Sequence, residues 1–310
     1  MLNKYVELLK KGEIVAFPTE TVYGLGADAW NPSAVKKVFV QKGRPADNPL
    51  IVHICSADMV DDFAQEVPED ARKLMEQFWP GPLTLIFKKK PEVLDIITAG
   101  LDSVAVRWPK HPLSQDLIAQ AGPLVAPSAN SSGKPSPTKA EHVREDFGED
   151  FPVIEAGETD IGLESTVLDI SEEPYQVYRP GAISAEAISK ILNKRVSVAK
   201  PSTENTAAKS PGTKYTHYSP HAEVKWLKEA PQKTESNALY LLHHIKLDNV
   251  KGNIIQYDGN FRRMAHELYD RFRQADHEKL DTIWIEPFEE KDLPNPFVQA
   301  LQNRISKAVS

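Results

Sequence analysis

The 310-residue chain has one cysteine, Cys55. No intrachain disulfide can form, and a cysteine-rich metal centre is excluded. Such a composition suits a reducing compartment. Long apolar runs are missing too: no stretch approaches the roughly 18 uninterrupted apolar residues of a membrane span. The opening MLNKYVELLKKGEIVAF carries charges throughout and lacks the apolar core of a secretory signal. A soluble, cytoplasmic protein without membrane contact is expected. An excess of positive charge is also absent. The net charge is −7, so any site for nucleic acid or nucleotide must be a local basic patch in an acidic envelope. Neither a Walker A sequence nor a G-x-S-x-G elbow occurs. The nine histidines show no metal-ligand spacing, and no protein-held metal is expected. His243 and His244 fall in a strand-like run, where neighbours point to opposite faces, so the pair is not expected to chelate together.

What is present is an ordinary globular balance, 41% hydrophobic and 26% charged, at a length suited to one large or two modest domains. Helices are predicted over residues 3–11, 33–41, 68–78, 114–121, 138–147 and 185–193. Asn31-Pro32 is the start signal of the second. Strands are predicted at 14–17, 50–54, 83–87, 104–107, 124–126, 165–170 and 175–178. Helices alternating with strands, some of them adjacent, indicate an α/β layered domain over residues 1–196. Residues 197–213, SVAKPSTENTAAKSPGT, are poor in large apolar side chains and rich in Ser, Thr, Pro and Lys, the chemistry of a linker. Beyond it, strands at 237–244, 253–257 and 282–288, with helices at 261–278 and near 297–308, predict a small second α/β domain.

Three segments carry chemistry. FPTETVYGLGADA, residues 17–29, approaches a dinucleotide fingerprint, but Pro18 to Tyr23 separate the strand from the first glycine. A nicotinamide fold turns from strand directly into its glycines. The spacing instead predicts a loop presenting Thr19, Glu20, Thr21 and Tyr23, with Gly24 and Gly26 allowing a sharp turn. The second segment brings Lys42, Arg44, Asn48 and His53 into one loop and strand. Guanidinium and ammonium groups are phosphate grips. A lone strand histidine is usually a satisfied core residue; here its company argues for a site. The third, VAPSANSSGKPSPT at 125–138, is a hydroxyl-rich loop at a strand end, where α/β sheets bind ligands. Arg107 ends a short strand in the same way, and Ser165, Thr166 and Arg179 add hydroxyls and a further cation. Cations, amides and hydroxyls bind phosphates and amino acids and stabilise transition-state charge. No nucleophile with a neighbouring base is evident.

PTETVYGLG, KGRPADN, NPLIVH, WPGPLT, VAVRWP, APSAN with SG and PSPT, STV and RPG stand in an order that resembles the YrdC/YciO-like family. SPGTKYTHYSP, residues 210–220, is similar to the linker motif of its two-domain members, the threonylcarbamoyl-AMP synthases. QALQNRISKA resembles their ending, although Leu293-Pro294-Asn295-Pro296 replaces the glycines expected before it. The resemblance implies a YrdC-like twisted mixed sheet (1–196), a linker (197–222) and a small Rossmann-like α/β domain (223–310). It implies that L-threonine, bicarbonate and ATP, with Mg2+, give threonylcarbamoyl-adenylate and pyrophosphate for the modification of adenosine 37 of certain tRNAs. Downstream tRNA threonylcarbamoyl transferase proteins would be partners.

Residue by residue, the resemblance implies that Thr21, His53, Arg107 and Ser165 hold L-threonine, Arg107 by its carboxylate, while Ala126 contributes backbone only. Arg44, Asn48, Ser103, Ser128, Ser136 and Arg179 match nucleotide-binding positions, and Lys42 and Arg44 would stabilise the reacting phosphate. Tyr218 or Tyr215 would close over the nucleotide. The rival expectation is a non-catalytic RNA- or nucleotide-binding protein, since the family's domain has been associated with double-stranded RNA; the acidic charge counts against it. A carbamoyl-transfer enzyme on the same domain would need zinc-binding modules that this chain has no room for.

Overall fold

The computed structural model describes residues 2–199, 218–231, 233–247 and 252–309. Thirteen strands lie among them, β1 (Val15–Phe17), β2 (Gly24–Asp28), β3 (Ile51–His53), β4 (Leu83–Lys88), β5 (Ser103–Arg107), β6 (Leu124–Val125), β7 (Thr166–Asp169), β8 (Gln176–Arg179), β9 (Ser197–Val198), β10 (Glu223–Trp226), β11 (Ala238–Leu242), β12 (Asn253–Gln256) and β13 (Thr282–Ile285). The described α-helices are α1 (Asn3–Lys10), α2 (Pro32–Lys42), α3 (Glu69–Phe78), α4 (Asp95–Thr98), α5 (Pro112–Ala121), α6 (Ala140–Phe147), α7 (Ala185–Leu192), α8 (Phe261–His277) and α9 (Pro296–Ala308).

The first nine strands form one twisted mixed sheet in the order β1-β2-β6-β3-β5-β4-β7-β8-β9. The last four form a second, all-parallel sheet in the order β10-β13-β11-β12. The boundary expected at residue 197 shifts, because Ser197 and Val198 pair with Gln176 and Val177 and belong to the first sheet. Residues 200–217, which hold most of the linker and Tyr215, lie outside the described residues.

Local chemistry explains the element ends nearest the site. The Asn31 side chain accepts from the backbone N–H of Ser33 and Ala34, with Pro32 in the first turn, so α2 starts where both residues favour it. Gly43, at φ 60°, ends α2 in the left-handed conformation. Lys42 is thus the last helical residue rather than part of a loop, and its direction is fixed by the helix.

The glycine motif behaves differently from its expectation. Gly24 and Gly26 do not turn the chain; they lie within β2, antiparallel to β1, with Val15 opposite Gly26. A Cβ on Gly26 would meet Phe17 Cε1 at 2.9 Å, and one on Gly24 would meet Ala126 Cβ at 3.2 Å. Close packing, not backbone freedom, requires glycine there. The strand expected at 237–244 is present but ends two residues early. β11 ends at Leu242, so His243 and His244 sit in a bend to which strand alternation does not apply.

The second sheet packs on α8, whose buried Met264, Ala265, Leu268, Tyr269, Phe272 and Ala275 follow the 3.6-residue period. Val22 and Leu163, from the first half, lie in the same apolar cluster as these residues. The core of the second half therefore takes in loop residues of the first half, next to the cleft, which Val22 also lines.

Candidate active site

A cleft enclosing about 720 Å³ of empty space, part of it open to solvent, lies beside β2, β3 and β5. Lys42, Arg44, Thr21, His53 and Arg107 line it, joined by Ala126, Ser128, Ser165, Arg179 and Tyr218. Residues separated by almost 200 positions in the chain are brought together there.

The loop 126–137 is not a free surface turn. Its backbone is hydrogen-bonded to the β2 segment: Leu25 N donates to Pro127 O, Ala129 N to Tyr23 O, and Tyr23 N to Pro137 O, all within 2.7–2.8 Å. Into this loop α2 drives Lys42, whose Nζ donates to the carbonyl oxygens of Ser128 (2.6 Å) and Asn130 (2.5 Å). Lys42 is only 4% exposed. Burial, followed by repulsion from Arg44, holds its pKa well below the usual lysine value. Arg44 donates to Asn48 O through Nε (3.1 Å) and to Pro49 O through Nη2 (2.8 Å), which anchors the guanidinium. Burial lowers its pKa to about 10, so it stays charged at neutral pH.

At the other end, the His53 ring is buried, with Nδ1 3.2 Å from the Ile51 carbonyl. A carbonyl only accepts, so Nδ1 carries the proton and Nε2 is left as an acceptor. Burial and then the Arg107 charge lower the His53 pKa to about 3, and the imidazole is neutral. Arg107 is more committed than expected. Nη1 donates to Thr21 Oγ1 (2.9 Å), Nε to Gly81 O (3.3 Å), and Nη2 lies 2.7 Å from Glu20 Oε1, close enough for an ion pair but off the angle of a hydrogen bond. A substrate carboxylate would share this guanidinium with Glu20. Ser165 Oγ is 2.8 Å from Thr84 Oγ1, and Arg179 donates to both Ser165 O (3.1 Å) and Ser165 Oγ (3.2 Å).

Three expected site residues do not line the cleft. Asn48 is buried, and its backbone carbonyl serves Arg44. Ser136 is buried and donates to Glu164 Oε1 at 2.6 Å. Ser103 opens β5, paired with Lys88, while Arg107 at the strand's other end pairs with Thr84. At about 3.3 Å per residue it stands roughly 13 Å along the strand from Arg107. Because Ile51 opposes Ala105 in the parallel pair of β3 and β5, Ser103 lies abreast of the Asn48–Pro49 approach to β3.

Sequence reasoning missed the acid of the site. Glu164 lines the cleft and is tied to the second half of the chain. Arg304 of α9 donates through Nε to Glu164 Oε2 at 2.7 Å, and Tyr269 of α8 donates to the same oxygen at 3.1 Å. Burial opposes the charge on Glu164, but Arg304 and then Arg179 pull its pKa down to about 2. Arg304, fully buried, also donates to Pro180 O (3.0 Å) and sits 5.6 Å from the centroid of Tyr218, which stacks on Tyr269 at 5.3 Å. Farther along α8, Arg273 pairs with Asp146 at 3.1 Å and donates to Pro135 O at 2.6 Å, bracing the 131–135 loop. The only signal available was the acid immediately before Ser165. Among the described residues no helix is long and apolar enough to cross a membrane.

Known proteins match this architecture. Residues 7–181 match the family model described as "Telomere recombination", and residues 183–310 the one described as "Threonylcarbamoyl-AMP synthase, C-terminal domain". A threonylcarbamoyl-AMP synthase of Pyrococcus abyssi is 44% identical, the match covering 97% of this chain and 91% of that protein. One from Bacillus subtilis is 42% identical over 97% and 90%. The crystal structure of P. abyssi Sua5 complexed with L-threonine superposes with a TM-score of 0.88 at 39% identity, covering 99% of this chain and 93% of that one. On these matches the chain belongs to the two-domain branch of the YrdC/YciO-like family.

Proposed function

We propose that this protein is a threonylcarbamoyl-AMP synthase, making threonylcarbamoyl-adenylate and pyrophosphate from L-threonine, bicarbonate and ATP, the ATP entering as its Mg2+ complex. The observation that carries the reading is the division of one cleft into two chemistries. Its Thr21, His53 and Ser165 end offers hydroxyls, a neutral imidazole and one shared guanidinium, suited to a small hydroxy amino acid. The opposite end offers Lys42 and Arg44, and Arg179, bonded to Ser165, stands between the two, a set of cations suited to a triphosphate.

In the proposed reaction bicarbonate supplies CO2 and hydroxide, the neutral threonine amine adds to CO2, and the amine's proton leaves with the hydroxide as water, giving a carbamate. A carbamate oxygen attacks the α-phosphorus, the bond to the β-phosphate oxygen breaks, and pyrophosphate leaves with its electron pair. Charge builds on phosphate oxygens, and Lys42 and Arg44 stabilise it without reorganising, because backbone carbonyls already hold both. His53 Nε2 accepts a proton donor of threonine; Ala126 contributes through its backbone, beside Ser128. Arg107, held by Glu20, positions Thr21 and shares its remaining donors with the threonine carboxylate. Tyr218 covers the nucleotide end. Asn48, Ser103 and Ser136 act around the cleft, Asn48 and Ser136 by fixing Arg44 and Glu164, and Ser103 where the nucleotide extends along β5. The product would pass to tRNA threonylcarbamoyl transferase proteins in the cytoplasm.

The test is pyrophosphate release by the purified protein with threonine and bicarbonate each present or omitted. Release that requires both is expected. Release indifferent to threonine would assign another acceptor, and ATP binding without release would favour the nucleotide-binding reading.

A further inference from the structure

The second sheet carries a polar cluster that the proposed reaction does not use. It lies at the carboxyl ends of β11 and β13, the edge at which parallel α/β sheets hold ligands. His243 and His244 follow β11 directly, Glu286 follows β13, and Asp292 lies in the short 3₁₀ turn Glu290–Asp292 beyond it. The two imidazole rings are 4.8 Å apart, inclined by 67°. One candidate ligand atom from each of His243, His244 and Asp292 lies within 4.8 Å of the others.

Two observations make this more than a cluster. His243 is completely buried, yet neither of its ring nitrogens has a hydrogen-bond partner. A buried imidazole in that condition has given up water's hydrogen bonds without replacing them. The cluster also holds two buried carboxylates, and the ion pairs of Glu286 and Asp292 among the described residues run to these histidines. Glu286 accepts from the backbone N–H groups of His243 (2.6 Å), His244 (2.9 Å) and Ile245 (3.1 Å), which fixes the bend that turns both rings inward. A cation bound by imidazole would satisfy one of the two orphaned nitrogens and offset the charge of the carboxylates.

We propose that His243, His244 and Asp292 bind one divalent transition-metal ion, of which zinc is the best match. Two imidazoles and a carboxylate suit zinc and its neighbours; magnesium and calcium favour all-oxygen sets. Ligand atoms about 2.0–2.1 Å from a tetrahedral ion stand about 3.3 Å apart. His244 Nε2 already lies 3.1 and 3.2 Å from the two oxygens of Asp292. His243 completes the set by closing about 1.5 Å at the widest pair. His244, half-buried, provides the way in. Three protein ligands leave a fourth position for water or a small anion.

The test uses full-length protein stripped with a chelator, then titrated with Zn2+ against a chromophoric competitor and, separately, with Co2+. Wild type is expected to take up one equivalent, to show the visible bands of tetrahedral Co2+, and to unfold at a higher temperature with Zn2+. The variant H244A/D292N, which leaves the enclosed His243 in place, is expected to bind at least about 10-fold more weakly and to lose the thermal shift. Zn2+ affinity equal in wild type and variant, or no uptake by wild type, would overturn the proposal. Neither readout involves ATP or threonine, so failure here is separate from failure of the proposed reaction.

Discussion

Lys42 is held where a cation is poorly solvated, between two carbonyl oxygens and beside Arg44. A triphosphate at that end of the cleft would supply the missing negative charge and draw its pKa back up. At a pH between the free and the ATP-bound values, ATP binding is expected to take up a proton, measured calorimetrically as a dependence of binding heat on the buffer's ionisation enthalpy. Lys42→Met should remove the dependence and weaken binding. Buffer-independent heats in the wild type would show that Lys42 keeps its proton throughout. His53 gives the opposite kind of test. Its pKa is lowered from 6.5 to about 3 in the folded protein. The unfolded chain therefore binds more protons between those values, and stability contributed by His53 is full above pH 6.5 and lost as pH falls towards 3. By pH 5 the loss is about 2 kcal/mol. His53→Gln should reduce the fall in Tm between pH 8 and pH 5; an identical fall would mean that other groups control acid sensitivity.

At the scale of elements, α9 reaches across the molecule with one side chain. Arg304 is the largest fully buried residue and holds both the Glu164–Ser165 and the Arg179–Pro180 segments of the cleft. Removing it leaves Arg179 as the main cation still acting on Glu164. Arg304→Met is expected to cost about 3–5 kcal/mol, the range for breaking a buried pair. The double variant Arg304→Met with Glu164→Gln should recover part of that loss, which thermal denaturation can measure as a coupling. Additive losses would deny the pairing. This bond also shows where sequence reading stops. The start of α2 was legible because Asn31 and Pro32 act on their own neighbours. The contacts of Thr21, Ser165 and Arg179 were approachable because each stands in a compact motif. Glu164 and Arg304 lie 140 positions apart, and nothing local to either announces the other. The glycines of β2 misled for a related reason: Phe17, from β1, and Ala126, from the loop after β6, crowd them from elsewhere in the chain. His243 and His244 misled because β11 stops one residue before them, a boundary set by Glu286 from beyond β13.

At the scale of the whole molecule, the cleft belongs to neither half alone. Its floor comes from the first sheet, while α8 and α9 supply Arg273, Tyr269 and Arg304 from the other side. Lys139 pairs with Asp270 at 2.9 Å, and His266 with Glu158 at 3.2 Å, around a seam whose apolar centre includes Val22 and Leu163. Burying that apolar surface is worth roughly 25 cal/mol per Å², so each half expressed alone exposes a face made to be covered. Residues 1–199 without the remainder are expected to release little or no pyrophosphate and to aggregate, since the props behind Glu164 and the 131–135 loop are gone. Residues 1–199 and 218–310 produced together should instead associate, because both fragments keep the seam contacts described above. Co-purification through a tag on one fragment measures this directly. If the pair associates and pyrophosphate release returns, the folded halves make the catalytic cleft and residues 200–217 are dispensable for turnover. If the pair associates without activity, those residues carry a catalytic function of their own. Fragments that elute separately, each folded and soluble, would contradict the shared core on which the reading of α9 depends.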